Sequence, residues 1–273
     1  MKGFSFGQYY PANSVLHKLD PRTKVILAIL YIVMTFLCKS ALSFAALTLC
    51  AVLLILISRI PLRIVLRSMR SILFIILFTS VINIFATRGE HLLLSWGWIN
   101  IYEEGLWNAL FMILRIAALI IGTGIFLTYT TTPVALTDAL ERLLSPLKKL
   151  KVPVHDFAMM MTIALRFIPT LSEETERIMN AQRARGSNFS TGSLLKRAKA
   201  LVPILVPLFV SAFNRAFELA AAMECRCYHG GEGRTQLKVL RYSAKDFIAM
   251  LLIVAIGTGL VLLNGIAFGH VLR

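Results

Sequence analysis

Five long apolar segments, separated by polar connections, constrain the fold of this chain more than any other feature of its sequence. Crossing a hydrocarbon core about 30 Å thick takes roughly 20 apolar residues in one helix. The first three segments are shorter than this, so we expect flanking residues to complete the crossing or the bilayer to thin around them. The predicted spans are residues 25–38, 41–57, 72–86, 106–129 and 247–268.

The composition agrees with a membrane location. Hydrophobic residues make up 57% of the 273 residues and charged residues only 16%, which is too apolar for an ordinary soluble domain. The chain has 29 Lys and Arg against 14 Asp and Glu, and these basic residues lie beside the predicted spans. That placement argues against a nucleic-acid partner and favours anionic lipid or acidic protein surfaces. We therefore predict an all-α integral membrane protein of the plasma membrane, with about five transmembrane helices.

The connection between the second and third predicted spans is strongly basic. It carries Arg59, Arg63, Arg67 and Arg70 without an acidic residue, whereas the next connection has more acids than bases. The positive-inside rule then places the N-terminus and the basic connection in the cytoplasm. Spacings of four, four and three put the arginines on one helix face, which predicts contact with the phosphates of anionic lipids.

A long basic stretch, residues 130–242, separates the fourth and fifth predicted spans. It holds 16 Lys and Arg against 9 Asp and Glu, and we expect it on the cytoplasmic side. Its apolar periodicity predicts long helices and not an unstructured loop. Three regions result: transmembrane helices over 1–129, cytoplasmic or interfacial helices over 130–242, and a last transmembrane helix over 243–273. Within the long stretch the helical pattern covers 134–150, 154–185 and 194–226.

Residues 201–223 are the ambiguous part of this topology, since they are long and apolar enough to span. Pro203, Pro207, Arg215 and Glu218 favour instead a helix that lies at the membrane surface or packs on a partner. In that case the C-terminus lies outside the cell. If the segment spans, the C-terminus lies inside.

Two of the long helical patterns end in an arginine between two small residues, and the two arginines are 41 positions apart. An arginine in a last helical turn complements the helix dipole, and a glycine closes a helix, so an ordinary helix end explains one such sequence. Two copies favour docking, because small neighbours let another surface come close while arginine reaches a carboxylate. The two tips are Ala184, Arg185 and Gly186, and Cys225, Arg226 and Cys227.

Four sequence motifs, taken in order, resemble one family. They are "SVLHKLDPRTK" at 14–24, "LERLLSPLKKLKVP" at 140–153, "ALRFIPTL" at 164–171 and the paired arginine tips. Together they are similar to the T component, the transmembrane coupling subunit, of energy-coupling factor (ECF) transporters, which is related to the CbiQ-type cobalt transporter subunit. The chain departs from the family pattern at the second tip, where Cys225 and Cys227 replace alanine and glycine, which leaves the termination of that helix open.

The resemblance implies a non-catalytic subunit with three protein partners. Two ABC ATPase subunits would bind the tips through Arg185 and Arg226, one each, and a separate membrane S component would capture a vitamin. ATP would be hydrolysed in the ATPase subunits, and no cofactor is expected in this chain. A T subunit dedicated to a cobalt or nickel importer is the nearest alternative. A self-contained channel or carrier is the alternative from another class.

Methionine-rich sequence marks a candidate contact for the S component. Flexible thioether side chains can pack against several different shapes, as a shared subunit would require. Packing in the core of the protein is the other explanation of the same pattern. The candidate residues are Met159, Met160, Met161 and Met223.

Catalytic and metal sites find little support in the sequence. No carboxylate is spaced with a His, Ser or Cys as in a catalytic site. Cys225, Cys227 and His229 lack a fourth ligand, so we predict no metal site. The stretch "GGEGRT" at 230–235 lacks the lysine of a nucleotide-binding loop and is expected to form a turn.

Arg115 and Asn83 lie inside predicted spans, and each is expected to need a partner there. Placing the charge of Arg115 in hydrocarbon costs free energy, so this side chain is expected to face protein or water. The sequence does not identify its partner. Asn83 is expected to form a hydrogen bond between helices and not an ion site.

Overall fold

The computed structural model describes residues 9–87, 92–96, 99–187, 189, 193–230 and 240–266. The chain separates into two compact units. The described residues of 9–139 and 240–266 form one, here the bundle unit, and those of 140–230 form the other, the long-helix unit. The helices are α1 (Pro21–Leu37), α2 (Ala41–Ser58), α3 (Leu62–Ala86), α4 (Glu103–Thr123), α5 (Pro133–Leu143), α6 (Val154–Ala184), α7 (Leu194–Glu224) and α8 (Ala244–Ile266).

Four shorter elements complete the described chain. A π-helical turn (Gly124–Tyr129) continues α4, and a 3-10 helix (Ser145–Leu150) precedes α6. Two short strands, β1 (Leu92–Trp96) and β2 (Ile99–Tyr102), pair antiparallel between α3 and α4. The expectation of an all-α membrane protein is confirmed, and the small hairpin is an addition that hydropathy did not reveal.

Most of the predicted spans correspond to helices long and apolar enough to cross a membrane. In the described residues four helices meet this condition, or five if the bent α3 counts as one span. In α3 the segments Leu62–Arg70 and Ile72–Phe85 meet at 58°. The helix α1, with 17 residues and a length of about 26 Å, is shorter than these. Residues 267 and 268 of the last predicted span lie outside the described residues.

The ambiguous segment belongs to α7, and its part Ala198–Glu224 is one of the four helices counted above as long and apolar enough to span. Only 6% of the most apolar stretch of this helix is buried inside the protein. Such a surface suits contact with lipid and contact with a partner equally. The preference for a surface or partner-bound helix therefore stays a prediction.

The centre of the bundle unit is a close contact between α1 and α4. Tyr31 is fully buried, and its hydroxyl donates to the Ala118 carbonyl at 3.1 Å. Gly122, one turn further along α4, lies so close to the Tyr31 ring that a Cβ there would overlap it. The absence of a side chain at Gly122 therefore sets the distance between α1 and α4.

The "LDPRTK" part of the N-terminal motif forms a buried polar cluster where α1 and α8 begin. Asp20 accepts from the Arg22 backbone N–H at 2.9 Å and pairs with its guanidinium at 2.9 Å. Asp246 of α8 accepts the Asp20 N–H at 2.9 Å and the Ser243 N–H at 2.7 Å. The Lys24 ammonium donates to the Thr130 carbonyl, after the π-turn, at 2.7 Å. Charged side chains thus join the ends of three helices.

Arg115 and Asn83, both within predicted spans, bind neighbouring parts of the bundle unit. Arg115 of α4 donates to the Cys38 carbonyl, at the end of α1, at 2.9 Å and lies over the Phe44 ring. This supplies the partner that the sequence did not identify. Asn83 of α3 donates to the Met112 sulfur of α4 at 2.9 Å, which confirms the predicted hydrogen bond between helices.

We predict that Gly122→Ala lowers the free energy of unfolding by about 1–3 kcal/mol, because the added methyl overlaps a buried ring that cannot move away. Thermal unfolding in detergent measures this. Gly259→Ala in α8 is the matched control, since no atom lies within 4 Å of the added methyl. That variant should be unchanged or more stable by up to about 1 kcal/mol. Equal destabilisation by both changes would contradict the contact.

Candidate functional site: the two arginine tips

The first tip ends α6 in a Schellman motif. Gly186 has a left-handed backbone with φ of +88°. Its N–H donates to the Arg183 carbonyl at 2.9 Å, and the Ser187 N–H donates to the Gln182 carbonyl at 3.0 Å. These two bonds satisfy carbonyls that an α-helix leaves open at its end.

The second tip closes α7 in the same way. Cys227 has φ of +54°, and its N–H donates to the Glu224 carbonyl at 2.8 Å. The Tyr228 N–H donates to the Met223 carbonyl at 3.0 Å. Each atom pair is displaced by 41 positions from its counterpart at the first tip. Cysteine therefore takes the left-handed position that glycine takes in α6, and the helix ends there despite the replacement.

Backbone N–H groups close both helices, so the arginine side chains at the tips are not needed for helix closure. Arg185 and Arg226 each directly precede the left-handed residue, and both are exposed together with their small neighbours. Among the described residues neither guanidinium has a hydrogen-bond or ion-pair partner. Arg183 differs, because it turns back to Asn180 and Met179 of its own helix at 3.5 and 3.2 Å. Within the first tip, Arg185 is the arginine best placed for another molecule.

The helices α6 and α7 pack antiparallel, so their C-terminal tips lie at opposite ends of the pair. Arg215 donates to Glu174 at 3.0 Å, and the Tyr228 hydroxyl donates to the Met159 sulfur at 3.1 Å. The second tip thus lies beside the start of α6. From Met159 to Arg185 is 26 residues of helix, or about 39 Å between the two tips.

The ion pair between α6 and α7 is strengthened by a third side chain. A hydrogen bond with Ser211, together with the Arg215 guanidinium, lowers the pKa of Glu174 below its ordinary value. A carboxyl whose pKa is lowered by folding stabilises the fold above its unfolded pKa, and this contribution is lost as the pH falls through the folded pKa. The contribution is small, because both side chains are partly exposed.

The four candidate methionines divide into two pairs. Met160 and Met161 are exposed on α6, with 57% and 41% of their surface accessible. Met159 and Met223 are half-buried and line a cavity of about 530 Å³ together with Arg226. Met159 and Met223 therefore lie beside the second tip, whereas Met160 and Met161 are exposed and free to contact a partner. Contact of any of the four with an S component stays a prediction.

Two other sequence expectations fall at the second tip. Among the residues that the structure describes, no three His, Cys, Asp or Glu side chains are grouped to hold a metal ion. Cys225 and Cys227 are exposed free thiols. Of the turn predicted at 230–235, the structure describes Gly230 alone, which has φ of +98°, and residues 231–235 lie outside the described part of the chain, so the turn stays a prediction.

The contact between Tyr228 and Met159 was not predicted from the sequence. One signal was available, because Met223 and Tyr228 are an apolar pair five residues apart across a helix end, which often accompanies a Schellman motif. At the first tip the equivalent residues, Gln182 and Ser187, are polar. The position of Met159 beside this pair depends on how α6 and α7 pack, which no local pattern encodes.

A bundle with helices of membrane-spanning length, joined to two long helices that end in exposed arginine tips, defines an α-helical integral membrane protein. The CbiQ family, described as cobalt transport protein, matches residues 12–237. An energy-coupling factor transporter transmembrane protein EcfT of Ruminiclostridium cellulolyticum is 48% identical over 98% of this chain and 100% of its own length.

Other relatives carry the same description. The EcfT protein of Clostridium kluyveri is 49% identical over 92% of this chain and 93% of its own length, and that of Bacillus subtilis is 47% identical over 90% and 92%. The chain belongs to the family of energy-coupling factor transporter transmembrane proteins. The family resemblance of the four motifs is thereby confirmed, and a membrane transport role follows.

We predict that Cys227→Gly slows amide hydrogen exchange at the second tip about fivefold, because glycine removes a left-handed penalty of about 1 kcal/mol. Cys227→Val should speed exchange, since a branched side chain fits that backbone least well. Hydrogen exchange of the peptide covering 219–230 measures both. Cys225→Gly is the control. Its φ of −59° is helical, so glycine there should speed exchange, and slower exchange in that variant would contradict the assignment.

Proposed function

We propose that this chain couples two ATP-hydrolysing subunits to a separate substrate-capturing S component, in an importer of vitamins or other micronutrients. The ATPase subunits bind the two tips, Arg185 with Ala184 and Gly186, and Arg226 with Cys225 and Cys227. The observation that carries this proposal is the identical closure of two exposed tips at opposite ends of one helix pair.

The geometry of the tips suits charged docking on a second protein. Backbone N–H groups satisfy the last carbonyls of each helix, so the arginine side chain is not needed there. An exposed guanidinium with small neighbours can enter a groove and form two hydrogen bonds with a carboxylate. A separation of about 39 Å leaves room for one protein at each tip.

The packing of α6 on α7 suits the transmission of force. Two contacts join the helices at separate points along their length: the ion pair between Arg215 and Glu174, and the hydrogen bond from Tyr228 to Met159. A displacement applied at one tip therefore also moves the other helix. We infer that closing of the ATPase subunits shifts both helices together and reorients the bound S component.

The S component is proposed to contact the methionine-rich part of α6 and the end of α7. Met160 and Met161 offer exposed thioethers there. The choice of substrate is expected to lie with the S component. The description of the matched family as cobalt transport protein keeps a dedicated cobalt or nickel importer as the second candidate.

The docking role predicts a loss of ATPase subunits on charge reversal. The wild-type chain, purified in mild detergent, should retain two ATPase subunits. Arg185→Glu and Arg226→Glu should each lose one, and the double variant both, since the reversed charge repels the partner carboxylate. Subunit stoichiometry from native mass spectrometry measures this.

Arg183→Glu provides the matched control for the pull-down. It makes the same charge reversal in the last turn of α6, but its side chain lies along its own helix. It should retain both ATPase subunits. Retention of both by the double variant would contradict the docking role, and equal loss from Arg183→Glu would show that only the net charge matters.

The S-component contact is tested by site-specific photo-crosslinking in the assembled transporter. A crosslinker at Met160 should capture the S component, because this side chain is exposed on the methionine-rich face. Arg177, exposed further along α6, is the control position and should give a clearly lower yield. Capture of lipid alone from Met160 would remove this contact from the proposal.

A further inference from the structure

A groove in the bundle unit lies where α2 ends and α3 begins. Its volume is about 480 Å³, within the range of roughly 300–1,000 Å³ usual for small-molecule sites. Val52, Leu56 and Leu62 form its walls, and Ile55 and Ile60, both buried, form its floor. Among the residues that the structure describes, Arg59 is the only charged one in its lining.

Apolar walls alone do not identify a ligand, because any outer surface of a membrane bundle is apolar. The arrangement of charge around this groove is what distinguishes it. Arg59, Arg63, Arg67 and Arg70 are all exposed, and no Asp or Glu occurs between residues 21 and 89. A concentration of positive charge without local acids attracts anionic lipid headgroups.

The backbone fixes Arg59 at the groove. Arg59 has φ of +55°, and its N–H donates to the Leu56 carbonyl at 3.3 Å, which ends α2. The other three arginines lie on the segment Leu62–Arg70, before the 58° bend of α3. Arg59 is thus part of the groove, while the others extend away from it along one helix.

The groove also lies at the polar end of the bundle. Tyr10, another lining residue, donates its N–H to the Tyr129 carbonyl at 3.0 Å. The next carbonyl, that of Thr130, accepts from the Lys24 ammonium in the buried polar cluster. The arginines and this cluster therefore lie at the same end, where a bilayer changes from hydrocarbon to headgroups.

We propose that this groove is a binding site for one anionic phospholipid, whose phosphate lies beside Arg59 and whose acyl chain lies against Val52, Leu56 and Leu62. An anionic headgroup suits the unopposed arginines, and an acyl chain suits the apolar walls. Free phosphate would leave the walls empty. The site shares no residue with the arginine tips and does not depend on the coupling role.

The test compares variants of the full chain in nanodiscs that contain equal amounts of phosphatidylglycerol and phosphatidylcholine. Native mass spectrometry after release counts the retained lipids. The wild type should retain one phosphatidylglycerol. Arg59→Gln should reduce its occupancy about fivefold, the effect of one interfacial arginine. Leu56→Trp should also reduce it, because indole fills the groove, and Leu56 is exposed enough to leave folding intact.

Arg70→Gln is the matched control, since it removes the same charge outside the groove lining and should change occupancy less than about twofold. Equal losses from Arg59→Gln and Arg70→Gln would overturn the proposal in favour of a diffuse basic surface. So would full retention by Leu56→Trp, or displacement of the lipid by millimolar inorganic phosphate. If the assembled transporter retains no lipid where the isolated chain retains one, a protein subunit covers the groove and the proposal is also wrong.

Discussion

The ends of helices are the places where this structure needs specific side chains. A backbone N–H or C=O without a partner in hydrocarbon costs several kcal/mol, and every helix leaves such groups at both ends. Asn264 of α8 satisfies three of them at the turn between α1 and α2: its side chain accepts from the Lys39 and Ser40 N–H groups and donates to the Leu37 carbonyl. Arg115 binds the neighbouring Cys38 carbonyl from α4. The bundle is therefore held together where its helices stop.

The same requirement explains why the two tips are suited to docking. In the bundle unit, charged side chains such as Lys24 and Asp246 form hydrogen bonds with backbone groups at helix ends. At the tips the backbone closes the helix through the left-handed residues Gly186 and Cys227, and the adjacent arginine has no such task. Arg183, by contrast, lies back on its own helix and donates to side-chain atoms of Asn180 and Met179. This difference is consistent with the docking role proposed for Arg185.

The two proposed sites use arginine in different surroundings. At the tips a single exposed guanidinium stands between small residues, which suits a protein groove with a carboxylate. At the end of α2, Arg59 adjoins an apolar groove and three further arginines, which suits a lipid with a charged headgroup and a long chain. The surroundings of each arginine, and not its charge, separate the two partners.

The sequence by itself determined the membrane class, the approximate positions of most apolar helices, and the two places, at Arg185 and Arg226, where long helices end. These are properties of contiguous segments, because hydrophobic length and helical spacing can be read along one stretch of chain. Only the tertiary structure decided that Cys227 replaces glycine in a left-handed turn, that Arg115 binds the end of α1, and that the tips lie at opposite ends of α6 and α7. Arg115 and Cys38 are 77 residues apart, and Asn264 lies 225 residues from Lys39. Such pairs depend on how distant helices pack, and packing depends on the three-dimensional fit of side chains such as Tyr31 against Gly122.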